Sequence, residues 1–588
     1  MRDIAWRANI LYAFPVMFLP TTREEMNALG WDRLDVILVS GDSYIDHPCI
    51  GAAVIGRVLL NAGFKTGIIA QPDTEGPADI TRLGEPALFW GVTGGSVDSL
   101  VANYTASGKR RKSDDYTPGG VNDRRPDRAL IVYTNLIRRY FKNTCPVVLG
   151  GIEASTRRIA HYDWFSDSVR RSVLFDAKAD YLVYGMGERA ILELARCLSS
   201  GEDVRKIRGI CYASGEKPLF GIELPSHAEA ARDKEAFREM FRLFSENSDR
   251  PGASVLYQLH DSRYLVHNPP QPPLTTGELD SLYALDFERD QHPFYERMGP
   301  VRALETIRFS ITTHRGCFGG CSFCSIGTHQ GRRVVSRSRN SIIGEAMGFT
   351  RHPRFKGIIS DAGGPTANMY AMGCSREERE SSCRGKGCLF PRVCRNLQVD
   401  HGPQIELLKE LRGLPGVKKV FVASGVRHDL VMADTRNGER YLRELVNHHI
   451  SGQMKIAPEH TAGHVLDLMG KPGPSCLESF KKLFDRLNSE SGRKQFLTYY
   501  FMAAHPGCTQ EDMLKLRRFT RERLRINPEQ VQIFTPLPST WSGVMYHTGR
   551  DPAGVRSLFV EKERRKRQQQ KDVLVAKAPA RPTGGSKR

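Results

Sequence analysis

A chain of 588 residues has room for two to four domains with separate cores, and its 40% hydrophobic and 26% charged content excludes a disordered or collagen-like polymer. No apolar run approaches the roughly 20 residues of a spanning helix, and the run from Ile10 to Pro20 holds two prolines and no small-residue cleavage site, so neither a membrane span nor a secretory signal is expected. The 13 cysteines are an odd number, which argues against a disulfide framework and for a cytoplasmic protein; seven of them lie between Cys317 and Cys394, a clustering that points to metal.

Strands and helices alternate through the first third. "DVILVS" (35–40) reads as a strand, "GAAVIGRVLLNAGF" (51–64) as a helix ending near Gly63, and "TGIIAQP" (66–72) and "PALFWGVTGG" (86–95) as strands. "RALIVYT" (128–134) reads as a strand before a helix from about Asn135 to Asn143. "PVVLGG" (146–151) and "ADYLVYG" (179–185) are strands, and "GERAILELARCLSSG" (187–201) is a helix. This alternation predicts a parallel, doubly wound sheet over residues 1–214. Residues 215–302 are less regular and read as a connecting region, with the proline-rich "NPPQPPL" (268–274) extended.

From about Arg308 the alternation resumes. Strands are expected at "RFSITTHRG" (308–316), "KGIIS" (356–360), "KKVFVAS" (418–424), "GQMKIAP" (452–458), "QFLTYYFMAA" (495–504) and "VQIFTP" (531–536). Helices are expected near 340–349, 404–413, 429–448, 475–489 and 510–524. Six such units over residues 303–574 predict a (β/α)6 open barrel with its site at the C-terminal ends of the strands. A charged helical segment then runs into residues 575–588, expected to be a disordered basic tail.

The net charge is +19. Residues 561–588 carry ten Lys or Arg against three Asp or Glu, and a second basic run, Lys109–Lys112, is offset by Asp114 and Asp115. The excess admits two readings, a solvated tail and contact with RNA.

"THRGCFGGCSFCSIG" (313–327) places Cys317, Cys321 and Cys324 within eight residues, immediately after the first barrel strand. Thiolates are soft ligands that suit iron–sulfur clusters or zinc. Gly316, Gly319 and Gly320 let a short loop curl so that three thiols converge. A structural zinc site would be closed by a fourth ligand, and only His329 lies near. Three ligands on a cubane leave one iron open.

This C-x3-C-x2-C pattern, with Phe323 before the last cysteine, resembles the signature of the radical S-adenosylmethionine (SAM) superfamily. "GDSYIDHPCIG", "GIIAQP", "VVLGGIEAS", "APEHT" and "MYHTG", in this order around the three cysteines, look like its YgiQ-type (UPF0313-like) branch. The resemblance implies a [4Fe–4S] cluster on Cys317, Cys321 and Cys324, SAM bound at the open iron, an external electron donor, and reductive cleavage to a 5′-deoxyadenosyl radical. "DAGGP" is similar to the motif that holds the SAM amino group, which implicates Gly363 and Gly364; Pro365 departs from it. Strand ends supply Ser424, Arg427 and Glu459 as further SAM contacts, each of which could equally be a strand cap.

Two further signals remain. Cys374, Cys383, Cys388 and Cys394 fall within 21 residues at a spacing that matches no standard finger, and are either a second metal site or a loop of reduced thiols. The amino-terminal domain resembles the cobalamin-binding fold found ahead of other radical SAM domains. Base-off binding there uses Asp-x-His-x-x-Gly, whereas here Asp46 directly precedes His47 and Gly51 follows four residues later, so cobalamin is expected to be unlikely. The substrate is left open between RNA or a ribosome-associated target and a small metabolite; a non-catalytic redox-sensing protein is the alternative of a different class.

Overall fold

The computed structural model describes residues 18–250, 252–376, 383 and 387–575. Five parallel strands form the amino-terminal sheet: β1 (Val36–Ser40), β2 (Thr66–Ala70), β3 (Phe89–Thr93), β4 (Val147–Gly150) and β5 (Tyr181–Val183), in the order β2-β1-β3-β4-β5. All five residues of β1 are buried, as expected for a central strand covered on both faces. The chain leaves β1 towards β2 on one side and returns to β3 on the other, so the strand order reverses at β1/β3, where doubly wound sheets bind ligands.

Two elements differ from the sequence reading. "RALIVYT" is the first half of a helix, α2 (Ala129–Tyr140), and not a strand; α1 is Gly51–Asn61. A short β-branched apolar run cannot be told from a buried helix by periodicity, and here Leu130, Tyr133, Leu136 and Ile137 form the buried stripe. The stretch expected to be a connector extends the same sheet. β6 (Ile210–Ser214) pairs antiparallel with β5, and β7 (Ile222–Leu224), β8 (Leu256–His260) and β9 (Arg263–His267) complete nine strands in the order β7-β8-β9-β6-β5-β4-β3-β1-β2. The helix α3 (Gly151–Thr156) follows β4, and α4 (Glu188–Ser200) follows β5.

The second half is a run of parallel pairings in chain order. β10 (Ser310–Thr312) pairs with β12 (Asp361–Gly363), and β11 (Ile358–Ile359) with β13 (Lys419–Val420). A single parallel bridge, Val426 to Ile456, leads to β14 (Gln453–Glu459), which pairs with β15 (Phe496–Ala503), and β15 with β16 (Gln530–Ile533). The intervening helices are α5 (Arg339–Thr350), α6 (Gly402–Gly413), α7 (His428–Ala433), α8 (Gly438–Glu444), α9 (Gly463–Met469), α10 (Pro474–Glu490) and α11 (Gln510–Phe519). The helix expected across 429–448 is broken because the Asp434 carboxylate accepts the Arg436 and Asn437 N–H groups (3.1 and 2.8 Å) and starts a new helix. Strand β14 shifts register before Glu459, which has φ +68°. No helix among the described residues is long and apolar enough to cross a membrane.

After α12 (Trp541–Thr548) the chain ends, for the described residues, in α13 (Arg564–Val575). This basic helix is not wholly solvated. Arg567, Gln570 and Leu574 are buried, and the Gln570 amide oxygen accepts the Ala504 N–H at 2.9 Å, while Arg567 donates to the Phe534 carbonyl. The rest of the expected tail, 576–588, lies outside the described residues. Residues 576–588 carry no apolar stripe in sequence, so ending the chain after Val575 is expected to leave the unfolding midpoint unchanged. Ending it before Arg564 exposes the surface under Leu574, a loss of about 1.5–3 kcal/mol, and orphans three backbone groups, the Ala504 N–H and the Phe534 and Cys508 carbonyls, at about 1–3 kcal/mol each. Denaturant titration of both truncations checks this.

Candidate functional site

The loop bearing Cys317, Cys321 and Cys324 leaves the end of β10 and is clamped at its base by the antiparallel pairs His314–Ser336 and Arg315–Val335. Gly316 takes φ +80°, and a Cβ there would fall 1.7 Å from the Arg333 carbonyl oxygen, so only glycine passes. The far side of the loop is pinned through Ser322. Its N–H donates to the Met469 carbonyl (3.0 Å) and its hydroxyl to the Leu468 carbonyl (2.6 Å), both at the end of α9. The Ser542 N–H at the start of α12 donates to the Ser322 carbonyl (2.9 Å), and the Ser542 hydroxyl lies 2.7 Å from His505 Nε2. The "MYHTG" string thus closes a helix whose first turn holds the thiol loop.

The sulfurs turn to one side. A Cβ on Gly319 would lie 3.1 Å from Cys317 Sγ and 3.6 Å from Cys321 Sγ, so the bare glycine forms the floor between two thiols. The Gly319 N–H donates to Cys317 Sγ (3.3 Å), and Thr366 Oγ1 approaches the same sulfur at 3.4 Å. Burial pushes the Cys324 thiol up to about 12, and the neighbouring Cys321 and Cys317 thiols add to this. A buried thiol that resists ionisation with two more thiols beside it suits a site where a bound cationic centre supplies the missing charge. Zinc would draw its sulfurs together at 2.3 Å bonds; among the described residues no group of three His, Cys, Asp or Glu side chains is placed to hold a single metal ion. A cubane spreads its ligands over separate irons and asks for less convergence. The Cys317 and Cys321 thiols flanking Gly319, with the Cys324 thiol close enough to feel both, fit that group.

The other residues read from the sequence fall around this loop with varied engagements. The Arg427 guanidinium is buried, forms a two-pronged pair with Asp429, and donates to Cys321 Sγ at 3.5 Å. Burial alone would push its pKa down, but Asp429 and the thiols hold it above the ordinary value, so the cation is permanent. The Ser424 hydroxyl is spent on Asp361, which also accepts the Ala423 and Ser424 N–H groups (2.8 and 3.2 Å). The Gly363 carbonyl accepts the Thr313 N–H at 2.7 Å. A Cβ on Gly364 would lie 2.7 Å from the His314 ring, so this glycine makes room for packing. Glu459 is buried with Lys471 Nζ at 3.7 Å; desolvation raises its carboxyl pKa and Lys471 opposes that. Sequence reasoning missed Thr366, Asp429 and Lys471.

The Arg427–Asp429 pair yields a direct test. Replacing Arg427 with methionine strands a buried carboxylate and is expected to cost about 3–5 kcal/mol, whereas Arg427→Met with Asp429→Leu should recover most of it. Urea unfolding of the three proteins measures the difference.

Two cavities flank the loop. One, of about 660 Å³, runs from Phe323 and Glu459 outward between the ends of β14, β15 and β16. The other, of about 350 Å³, lies at the β1/β3 crevice, walled by Asp42, Gly95 and Gly151, with Ile326, His329 and Gln330 of the segment after Cys324 on its other side. His329 Nδ1 sits 3.0 Å from the Ser155 hydroxyl, and burial lowers the ring to about 4, which keeps it neutral.

The second cysteine group occupies the excursion after β12. Cys374 pairs across a short antiparallel bridge with Leu397, and the Cys394 N–H donates to the Cys388 carbonyl at 2.8 Å. Burial pushes the Cys388 thiol up to about 11, with Cys394, Cys374 and Cys383 adding to it. Cys383 is exposed; its neighbours 377–382 and 384–386 lie outside the described residues. Cys388 and Cys394 share with Cys317 an apolar cluster built on Phe318, Met369, Met372 and Leu389.

A family model described as radical SAM N-terminal matches residues 18–310. A UPF0313 protein of Fusobacterium nucleatum subsp. nucleatum is 54% identical over 95% of this chain and 99% of its own length. The chain belongs to the UPF0313 family of radical SAM proteins. A second UPF0313 protein, of Thermotoga maritima, is 51% identical over 96% of this chain and all of its own. Among solved structures, the radical SAM methyltransferase TsrM from Kitasatospora setae, with cobalamin and a [4Fe–4S] cluster bound, aligns with TM-score 0.50 and 17% identity, covering 89% of this chain and 79% of TsrM. That likeness is one of fold.

It also corrects the expectation against cobalamin. The Asp-x-His-x-x-Gly spacing tests one mode of cobalt ligation and not the fold's capacity for the cofactor, and a protein of this fold carries it. In this UPF0313 chain His47 is spent elsewhere. Its Nδ1 accepts the Cys49 N–H at 3.1 Å, and Nε2 faces Arg289 at 3.0 Å. Those contacts explain the spacing without bearing on cobalamin.

Proposed function

We propose that this UPF0313 protein is a cytoplasmic radical SAM enzyme whose Cys317, Cys321 and Cys324 hold a [4Fe–4S] cluster. Such a cluster, when bound and reduced by an external donor, passes one electron to SAM and releases methionine and a 5′-deoxyadenosyl radical. The observation that carries the reading is the turning of the Cys317 and Cys321 sulfurs to one side over the bare backbone of Gly319. Cation and hydroxyl contacts support it: Arg427 at Cys321 and Thr366 at Cys317 are hydrogen-bond partners of the sulfur, a recognised way to tune cluster potential. Glu459 and Lys471, a buried pair whose lysine acts on Cys324, are candidates to meet the charged ends of SAM. Gly363 and Gly364 permit close packing at the end of β12.

The crevice cavity supports a second ligand in the same reading. TsrM binds cobalamin, and in this chain we assign that cofactor to the β1/β3 crevice. A corrinoid is larger than the present 350 Å³, so the crevice in this structure does not hold all of it. The test is anaerobic purification with iron, sulfide and corrin counted per chain, followed by a SAM-cleavage assay with a chemical reductant. About four iron and four sulfide attributable to the first cysteine group, with 5′-deoxyadenosine formed, are expected. An iron-free protein that forms none sinks the reading.

A further inference from the structure

The larger cavity has an unusual mouth. Its inner end is Phe323, which lies between Cys321 and Cys324, and its one acidic lining residue among those described, Glu459, is already paired with Lys471. Its outer end is built by two segments more than 450 residues apart in sequence. One is a hairpin of the amino-terminal domain, closed by the Tyr104–Arg110 bridge, which brings Lys109 and Arg111 to the rim. The other is α13, which brings Gln568 and Lys571. The two meet where a Cβ on Gly108 would lie 3.1 Å from the Arg564 guanidinium carbon. Both basic runs of the sequence therefore converge on one opening.

The geometry of α13 shows how. Arg567, Gln570 and Leu574 form its buried stripe. Arg564, Gln568 and Lys571 recur at i, i+4 and i+7 on the adjacent stripe and face the hairpin and the mouth. Like charges from separate segments repel, and no carboxylate among the described residues forms an ion pair with Lys109, Arg564, Arg565 or Lys571. Arg111 is held by the Val101 and Tyr104 carbonyls (both 3.2 Å), which orders the cation without neutralising it. Beside the hairpin, Tyr104 packs on Phe165 at 4.6 Å between ring centroids, Phe165 is 38% exposed, and the Arg110 guanidinium lies 6.0 Å from the Tyr104 ring.

We propose that this rim binds a single-stranded or looped polynucleotide and that the cavity takes one extruded nucleoside towards the thiol loop. A small phosphorylated molecule would account for Lys109 and Lys571 at the mouth. It would not account for exposed cations continuing through Lys112 on one side and through Arg565 on the other, along with exposed aromatic surface. Such a spread matches the spaced phosphates of a strand and the stacking platforms that hold its bases. A cavity of about 660 Å³ has the scale of a single small-ligand site, and enzymes that act on a base take it out of the stack. The proposal rests on the radical SAM reading of the cavity, which its test keeps separate.

The experiment is fluorescence anisotropy of the full-length, anaerobically purified protein with labelled single strands of RNA and of DNA, each of mixed sequence, across a salt series. Alongside it runs the variant Lys109→Gln/Arg564→Gln/Lys571→Gln. Binding to the wild type with log K falling linearly in log salt is expected, and the variant should bind about tenfold more weakly with a slope shallower by about 2, at about 0.7 per lost phosphate contact. RNA bound in preference to DNA names the polymer; equal binding means that phosphates alone are read, and both support the site. If the triple variant melts below the wild type, Lys571→Gln alone should still flatten the slope by about 0.7. Strands that fail to bind at low salt, a variant with unchanged slope, or pyrophosphate that competes as well as a strand each overturns the proposal. SAM cleavage measured on the same preparation separates the two readings: 5′-deoxyadenosine without strand binding leaves the radical SAM reading standing, and strand binding without 5′-deoxyadenosine leaves the rim standing.

Discussion

Replacing Cys317, Cys321 and Cys324 together with alanine is expected to remove about four iron and four sulfide per chain and to abolish 5′-deoxyadenosine formation. The expectation is severe because the histidine and lysine side chains around the loop are engaged elsewhere. Among the described residues, His329 is neutral and held at Ser155, His505 is engaged with Ser542, and Lys471 is paired with Glu459. The fold should survive. The loop is fixed by its hairpin base, by Ser322 and by the Gly316 turn, none of which involves a sulfur. Far-ultraviolet circular dichroism and a melt would verify that, and the brown absorbance together with product chromatography would report the loss. Wild-type levels of 5′-deoxyadenosine from the triple variant would contradict the assignment outright.

These three cysteines were legible in the sequence because their spacing is local: one loop carries all of them, and no tertiary contact is needed to recognise the pattern. The residues that surround them were not legible for the opposite reason. Thr366 follows β12, Asp429 lies in the first turn of α7 and Lys471 follows α9, three places far apart in sequence, and a lone threonine or lysine carries no pattern. Arg427 was read as a SAM contact from its place at a strand end, but only packing reveals that its guanidinium is divided between Asp429 and Cys321. Ser424 was read likewise, and its hydroxyl is spent on Asp361. The mixed α/β character was legible from alternation, whereas the run at 128–134 was assigned to a strand because its residues suit either state and only burial on one stripe decides. The connector was misjudged since β7, β8 and β9 are edge-side strands with polar interruptions. The cobalamin expectation failed because it asked about one histidine spacing, whereas a solved protein of the same fold, TsrM, has cobalamin bound.

Replacing Cys374, Cys383, Cys388 and Cys394 with serine is expected to remove a fixed increment of metal, to make the excursion after β12 more sensitive to protease, and to spare the SAM-responsive cluster. We propose these four as a second metal site that assembles only when metal draws the thiols together, since among the described residues no group of three is already placed to hold a single ion. Their support is the bridge that places Cys374 beside Leu397, the closure of Cys394 on Cys388, and the mutual effect of the four thiols on Cys388. A site that used all four thiolates would be closed, with no position left for SAM, so its role would be to hold the excursion in one shape. Metal bound by such a loop contributes folding free energy that the bare loop lacks. The consequence for packing is specific. Cys388, Cys394 and Cys317 flank the same apolar cluster, and a loop released there would loosen Phe318 and Leu389 before it reached the first thiols. Iron, sulfide and zinc should therefore be counted in the wild type, in the Cys317/Cys321/Cys324 variant and in this quadruple variant, with limited proteolysis of each. Increments that add independently support two separate sites. Unchanged metal and unchanged protease resistance would mean that the four thiols bind nothing, and loss of the SAM-responsive cluster from the quadruple variant would mean that the two groups form a single centre.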